Sequence, residues 1–202
     1  MNIKYPYFNE DHEGIREMAK DFAEKTLAPI AGEIDKTEAF PMDVVKTMAD
    51  MGFLGLKIPE EYGGLGLDMR SYICVMEEIA KKCATATIFI SSANSLSTAP
   101  IVISGTPEQK EKYLPGVAAG ESLIAFGLTE PNATRAVEDG DSYILNGRKC
   151  FITMAPIADQ CIVYAKTDPE KGAKGITCFM VDMNLPGVSC GRHEEKMGQR
   201  GV

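Results

Sequence analysis

The sequence reads Phe126-Gly127-Leu128-Thr129-Glu130-Pro131-Asn132-Ala133 where apolar strand residues run into a Pro-Asn turn. A second stretch, Phe151-Ile152-Thr153, is typical of a strand and also ends in a threonine. Two strands that end side by side would offer backbone N–H groups and two hydroxyls next to apolar side chains. That arrangement suits a flat heteroaromatic ring with apolar faces and a polar edge.

Short apolar runs separated by turn residues continue from Gly120 towards the end of the chain. Asn146-Gly147 separates Tyr143–Leu145 from Cys150–Ile152, which predicts a hairpin with a two-residue turn. Further strands are predicted at Ile162–Ala165 and Ile176–Val181. We therefore expect a small antiparallel β-sheet or barrel domain over residues 121–202.

The chain before this region is predicted to be helical. Asn9 and Asp68 are typical helix caps, and Thr106-Pro107-Glu108-Gln109 is a capping box with proline at the first helical position. Pro41 begins another helix, for which Gly52 is the stop signal. The predicted fold class is α+β, with an all-α bundle over residues 1–120 and the β domain after it.

Composition narrows the class of protein. The 202 residues are 45% apolar and carry a net charge of −8, which is typical of a globular chain rather than a disordered one. An acidic chain is poorly suited to neutralise phosphate backbones, so we expect no nucleic-acid partner.

Cysteine and histidine usage argues against a metal site. Six cysteines lack any C-x-x-C pair and there are only two histidines. Free thiols favour a reducing compartment, and the predicted location is the cytoplasm. The segment from Cys83 to Pro107 carries no charge and is long enough to span a bilayer, but it is rich in Ser, Thr and Asn. A helix buried inside the protein is the better interpretation, and no membrane span is expected.

Six segments, in order along the chain, give a resemblance to one family. They are Phe8-Asn9-Glu10 with Ile15-Arg16, Pro59-Glu60-Glu61-Tyr62-Gly63-Gly64, Gly105-Thr106-Pro107-Glu108-Gln109-Lys110 with Lys112-Tyr113-Leu114-Pro115, Ala125–Ala133, Leu145-Asn146-Gly147-Arg148-Lys149-Cys150-Phe151-Ile152-Thr153, and Lys196-Met197-Gly198-Gln199-Arg200-Gly201. The chain resembles the N-terminal and middle domains of an acyl-CoA dehydrogenase.

The resemblance implies an FAD-dependent oxidoreductase of fatty acid metabolism, closest in character to the short-chain members. Such an enzyme oxidises an acyl-CoA thioester to the trans-2-enoyl-CoA. A carboxylate takes the α-proton, the β-hydrogen leaves as hydride to the flavin, and an electron-transferring flavoprotein collects the electrons. Full-length members are usually homotetramers.

The resemblance also implies the site residues. Phe126, Leu128 and Thr129 would lie along the flavin, and Phe151, Ile152 and Thr153 would contact its ring system, with the Thr153 hydroxyl near N5. A second set, from the uncharged segment, would lie beside the acyl chain: Ser91, Asn94 and Leu96.

Two departures from the family pattern bear on function. Ala133 runs directly into Thr134-Arg135, where the family has a Gly-Ser/Thr-Asp loop that helps to hold the flavin and CoA. The chain also stops before the family's C-terminal helical domain, which supplies the catalytic glutamate. Glu130 is expected to be structural, no catalytic residue is assigned, and the chain alone is expected to be inactive.

Three other interpretations stay open at this point. The chain could be half of a split enzyme. It could be a non-catalytic remnant or interaction module that keeps the fold, or a small-molecule-binding β protein with no flavin.

Overall fold

Seven α-helices precede five β-strands in residues 7–202, which the computed structural model describes. These residues form two compact units. The helical unit runs through Ser122 and includes Glu195–Val202, and the sheet unit is Leu123–Glu194. The predicted class, a helical region followed by a β region, is confirmed. The predicted domain boundary at residue 120 stays a prediction, because compact units and evolutionary domains are different divisions.

The helices have capping residues at the expected places. Asn9 caps the first helix by accepting from the backbone N of His12 at 3.0 Å, and Asp68 caps the fourth by accepting from that of Ser71 at 2.9 Å. Thr106 and Gln109 form the predicted capping box of the last helix. The bounds are α1 Glu10–Phe22, α2 Ala31–Thr37, α3 Met42–Asp50, α4 Met69–Ala80, α5 Ala84–Ser91, α6 Ala99–Ser104 and α7 Pro107–Ala118.

The uncharged segment is largely helical, and its first helix, α5, is mostly buried in the helical unit. A π-helical turn, Ser92–Leu96, joins α5 to the turn before α6. By length and composition the run Ala84–Ser104 could cross a membrane, but 56% of its most apolar stretch is buried inside the structure. Phe89 and Ile90 are almost completely buried, as in the core helix of a globular protein.

The sheet is built around one central strand. Its strands are β1 Ile124–Gly127, β2 Arg135–Asp139, β3 Ser142–Asn146, β4 Gln160–Lys166 and β5 Ile176–Asp182. One edge of β4 pairs with β5 along its whole length, in the antiparallel sense. The other edge pairs in parallel with β1, from Ile124↔Gln160 to Gly127↔Val163, and then with the start of β2 at Arg135↔Lys166. The sheet is therefore mixed rather than purely antiparallel, and within residues 7–202 it does not close into a barrel.

The hairpin predicted at Asn146-Gly147 is wrong. The two-residue turn is Gly140-Asp141, which joins β2 to β3 with Asp139 opposite Ser142. Gly140 has φ of +60°, a conformation that glycine adopts without steric cost and that suits a type II′ turn. Asn146 instead ends β3, and the residues after it leave the sheet.

The last residues pack back against the helical unit. Arg200 pairs with Glu38 and also donates to the carbonyl of Asp35 at 3.1 Å. A Cβ on Gly201 would lie 2.6 Å from the Ile34 Cγ2 methyl, so only glycine fits there without a shift. The Lys196–Gly201 motif thus attaches the segment that follows the sheet to α2 and its neighbours.

Candidate functional site

The two stretches predicted to form the site do meet in the sheet unit. β1 ends at Gly127, and the chain then leaves the sheet through residues 128–134. The backbone N of Cys150 donates to the carbonyl of Thr129 at 2.9 Å. This hydrogen bond joins the segment after β1 to the segment after β3.

The first stretch exposes an apolar side chain and a hydroxyl-bearing residue. Phe126 is half-buried, and its ring forms a T-shaped pair with that of Tyr164 at a centroid distance of 5.5 Å. Leu128 is 53% exposed and Thr129 is also exposed. The end of β1 therefore presents both apolar and polar groups to solvent.

The second stretch is not the strand that the sequence predicted. Cys150–Ile152 lie outside any strand, and Phe151 has φ of +57°. A left-handed conformation costs a residue other than glycine about 1 kcal/mol or more, so the surrounding contacts must hold it in place. Met154 also has a positive φ, and its side chain is buried. The chain turns sharply here, because Met154 is anchored in the core while Phe151 faces outwards.

In this turn the Phe151 side chain is 77% exposed, which makes it more exposed than that of Leu128. Thr153 is exposed as well, and the carbonyl of Ile152 accepts from the backbone N of Ala155 at 3.3 Å. Exposed Phe151 and Leu128, with threonines beside them, fit the chemistry of a flat ring with a polar edge. The assignment of these residues to a flavin stays a prediction.

Lys149 connects the two stretches through the hydrogen bonds of its ammonium group. Its Nζ donates to the carbonyl of Leu128 at 3.2 Å, to the carbonyl of Tyr164 at 2.7 Å and to Oε2 of Glu130 at 2.7 Å. The side chain is only 12% exposed. Lys149 lies within a family motif, but the sequence alone assigns it no role because its partners lie far from it in sequence.

Glu130 is the centre of a polar cluster rather than a free acid. Its Oε2 accepts from the backbone N of Thr134 at 2.8 Å, from the Thr134 hydroxyl at 2.5 Å and from Lys149. Partial burial opposes ionisation, but the hydrogen bonds from Lys149 and Thr134 prevail and lower the pKa of Glu130. A carboxylate held this way is a poor proton acceptor, which agrees with the structural role expected for it.

The residues predicted to lie beside the acyl chain belong to the helical unit. Asn94 is 2% exposed, and its amide binds backbone: Oδ1 accepts from the N of Lys57 at 2.9 Å, and Nδ2 donates to the carbonyls of Phe53 at 2.7 Å and Ile90 at 2.9 Å. Ser91 is half-buried and Leu96 is 46% exposed. Asn94 therefore has its amide hydrogens committed to the fold, and the substrate role of all three residues stays a prediction.

Residues 7–202 contain no cluster of three or more His, Cys, Asp or Glu that could hold a metal ion. All six cysteines are free, and three of them, Cys74, Cys83 and Cys161, are buried. Burial raises the pKa of Cys161 to about 11, so its thiol stays protonated near neutral pH.

Residues 9–121 match the acyl-CoA dehydrogenase N-terminal domain, and residues 118–202 match the acyl-CoA dehydrogenase middle domain.

Among curated proteins, a 3-(aryl)acrylate reductase of Clostridium sporogenes is 54% identical over 96% of this chain and 54% of its own length. A caffeyl-CoA reductase-Etf complex subunit of Acetobacterium woodii is 48% identical over 95% of this chain and 53% of its own. Among solved structures, butyryl-CoA dehydrogenase from Megasphaera elsdenii is 38% identical with a TM-score of 0.91, over 100% of this chain and 55% of that one. The chain thus spans about half the length of these relatives.

Proposed function

Because the chain belongs to the acyl-CoA dehydrogenase family, we propose that it forms the FAD-binding part of an oxidoreductase acting on the α,β-bond of an acyl-CoA thioester. The observation that carries the proposal is the hydrogen bond between Cys150 N and the Thr129 carbonyl, which joins the two segments predicted to contact the flavin. Their exposed side chains match the chemistry of a flavin ring.

Four residues would form the apolar and hydroxyl-bearing surface against the ring. Phe151 and Leu128 would contact its apolar faces, and the Thr129 and Thr153 hydroxyls would donate to its polar edge, where negative charge develops on reduction. Phe126 and the Ile152 backbone would complete this surface. When bound, FAD supplies the two-electron acceptor for the hydrogen that leaves the β-carbon.

No catalytic base is proposed within the sheet unit. Glu130 follows the first of these segments, but its Oε2 already binds Lys149 and Thr134. We infer that residues 1–202 bind flavin but do not turn over an acyl-CoA without further residues of the kind that the longer relatives contain.

The electron partner in the proposal is an electron-transferring flavoprotein. One relative is named as a subunit of a reductase–Etf complex, which supports this assignment. The unpaired cysteines support a reducing, cytoplasmic location. A short acyl chain is supported by the similarity to a butyryl-CoA dehydrogenase, and the homo-oligomeric state of the family is proposed for the whole protein.

A second candidate is the same chemistry run in the reductive direction. The relatives at 54% and 48% identity are named for the reduction of an aryl acrylate and of caffeyl-CoA, whereas a short-chain specific acyl-CoA dehydrogenase of Clostridium acetobutylicum is 45% identical. This ranking favours an α,β-unsaturated thioester with an aromatic substituent as the substrate to be reduced.

Spectroscopy of the purified 202-residue chain tests the proposal. We expect it to take up FAD, and we expect the flavin bands to shift relative to free FAD because the ring enters a less polar site. Anaerobic addition of butyryl-CoA should not bleach those bands, because the Glu130 carboxylate is already bound by Lys149 and Thr134. A chain that folds but takes up no FAD would contradict the proposal, and bleaching would contradict the inferred inactivity.

The direction of the reaction is tested on an active enzyme that contains this chain together with the additional residues that its longer relatives have. Butyryl-CoA oxidation and caffeyl-CoA reduction would be measured side by side with the same electron carrier. A preference for the second would favour the aryl-acrylate candidate, and a preference for the first would favour the short-chain dehydrogenase.

A further inference from the structure

We propose that Lys149 is a positioning residue for the flavin: its ammonium orients the peptide between Leu128 and Thr129 so that the Thr129 N–H faces the ring. The proposal rests on the proposed function, since it concerns how that same site is built. It gives a role to a lysine whose side chain is only 12% exposed.

Lys149 fills a gap in the sheet. The parallel pairing of β1 with β4 ends at Gly127↔Val163, and the pairing of β2 begins at Arg135↔Lys166. Tyr164 lies between those positions, so its carbonyl on this edge has no neighbouring strand to bind. The Lys149 ammonium donates to that carbonyl at 2.7 Å and takes the place of the missing backbone donor.

The same ammonium fixes the direction of one peptide in the segment that leaves the sheet. Lys149 Nζ lies 3.2 Å from the Leu128 carbonyl, and the chain contains no cis peptide in the described residues. In a trans peptide the C=O and the following N–H point in opposite directions. Since the Leu128 carbonyl points towards Lys149, the Thr129 N–H points away from it.

The next peptide is also held, by the residue that follows Lys149. The Thr129 carbonyl accepts from the Cys150 backbone N, one residue after Lys149. Two consecutive carbonyls are therefore bound by two consecutive residues, 149 through its side chain and 150 through its backbone. This leaves little freedom for the backbone at Thr129, so its donor is pre-organised before any ligand arrives.

Lys149 itself has nothing left to offer a ligand. An ammonium has three hydrogens, and Leu128, Tyr164 and Glu130 provide three acceptors. Its charge is balanced by Glu130, so it does not act as an electrostatic attractor for the phosphates of a cofactor. The role that remains for Lys149 is to position the backbone between Leu128 and Thr129.

The experiment compares FAD binding to the wild-type chain, to Lys149→Met and to the control Lys174→Met. Lys174 is an exposed lysine of the same sheet unit. FAD affinity is measured by fluorescence titration, and the bound flavin is characterised by its visible spectrum and reduction potential. Removing hydrogen bonds from a charged donor predicts that Lys149→Met binds FAD about tenfold more weakly or worse, with an altered spectrum and potential. Lys174→Met should match the wild type in every readout.

A measurement on the wild-type chain keeps the test independent of how well Lys149→Met folds. Hydrogen exchange is followed at the Thr129 amide with and without FAD. We expect FAD to slow this exchange, because the N–H would donate to the ring. An unchanged exchange rate at Thr129 in the FAD-bound chain would overturn the proposal.

The outcomes separate the two proposals. A wild-type chain that binds no FAD overturns the proposed function and this inference together. A wild-type chain that binds FAD, alongside a folded Lys149→Met with the same affinity, spectrum and potential, overturns only the role of Lys149.

Discussion

Glu130 accepts two hydrogen bonds from Thr134 through a single carboxylate oxygen, 2.8 Å from the backbone N and 2.5 Å from the hydroxyl. Thr134 is buried, and its own carbonyl accepts from the N of Lys166 at the point where β2 joins β4. The pair therefore closes the short turn after Ala133 against the sheet.

Because of this pair, we expect the free energy of unfolding to fall at acid pH. The hydrogen bonds lower the folded-state pKa of Glu130 below its ordinary value, so its contribution is fully present above the unfolded-state pKa of about 4.3. The contribution is lost as the pH falls through the folded-state pKa, because protonation removes the acceptor. Glu130→Gln should lower the free energy of unfolding at neutral pH and have less effect at low pH. Urea unfolding at a series of pH values measures this, and equal losses across the series would contradict it.

We predict that Asn94 contributes to the stability of the fold, independently of any contact with a substrate. Asn94→Ala would leave the Lys57 N–H and the carbonyls of Phe53 and Ile90 without their partner in a buried place. Unsatisfied buried groups cost about 1–3 kcal/mol each, so we expect a loss of at least about 2 kcal/mol. Thermal unfolding checks this, with Ser91→Ala from the same helical run as the control. A loss for Ser91→Ala as large as that for Asn94→Ala would contradict the special role of the amide.

His12 is predicted to stabilise the start of α1. Its Nδ1 accepts from the Asn9 backbone N at 3.0 Å, and its Nε2 lies 3.2 Å from Oδ1 of Asp68. His12→Ala removes both contacts and should cost about 1–2 kcal/mol. His12→Gln should cost less, because glutamine at this position can restore the capping box.

Denaturant unfolding of these variants checks the prediction for His12. If His12→Gln and His12→Ala lose the same stability, the contact with Asp68 rather than the cap is the important one.

Local signals in the sequence were enough to predict most of the helical unit. Asn9, Asp68 and Thr106 act within a few residues of themselves, so their capping role can be predicted without knowledge of the tertiary fold. The helix α2 was missed because its N-cap is Ile30, which offers no side-chain hydrogen bond. Without a cap or a clear apolar period, a seven-residue helix gives no local signal.

The sheet was harder to predict, because its contacts join distant residues. β2 reads Arg-Ala-Val-Glu-Asp and buries only Ala136, so it shows no alternation of apolar and polar residues. The site depends on Lys149 reaching Glu130 and Tyr164, 19 and 15 residues away. The motifs predicted which residues gather at the site, but only the fold shows that Cys150–Ile152 do so as a turn rather than as a strand.

Gly147 is the position where the predicted hairpin can be distinguished from the observed turn. As the turn of a hairpin it would be needed for its backbone conformation, yet its φ is not positive. A Cβ at Gly147 would instead lie 2.2 Å from the Thr134 hydroxyl oxygen, and Thr134 is held in place by Glu130. Gly147→Ala should therefore destabilise the sheet unit by about 1–3 kcal/mol through overpacking.

The matched control is Gly191→Ala, since a Cβ there meets nothing within 4 Å. It should leave the unfolding midpoint unchanged within error. Hydrogen exchange locates the effect: in Gly147→Ala the Thr134 and Cys150 amides should exchange faster, while the β4–β5 amides at the sheet centre change less. A Gly147→Ala chain as stable as Gly191→Ala would mean that Thr134 can move aside, and the turn after Ala133 would then be less firmly closed than its hydrogen bonds to Glu130 indicate.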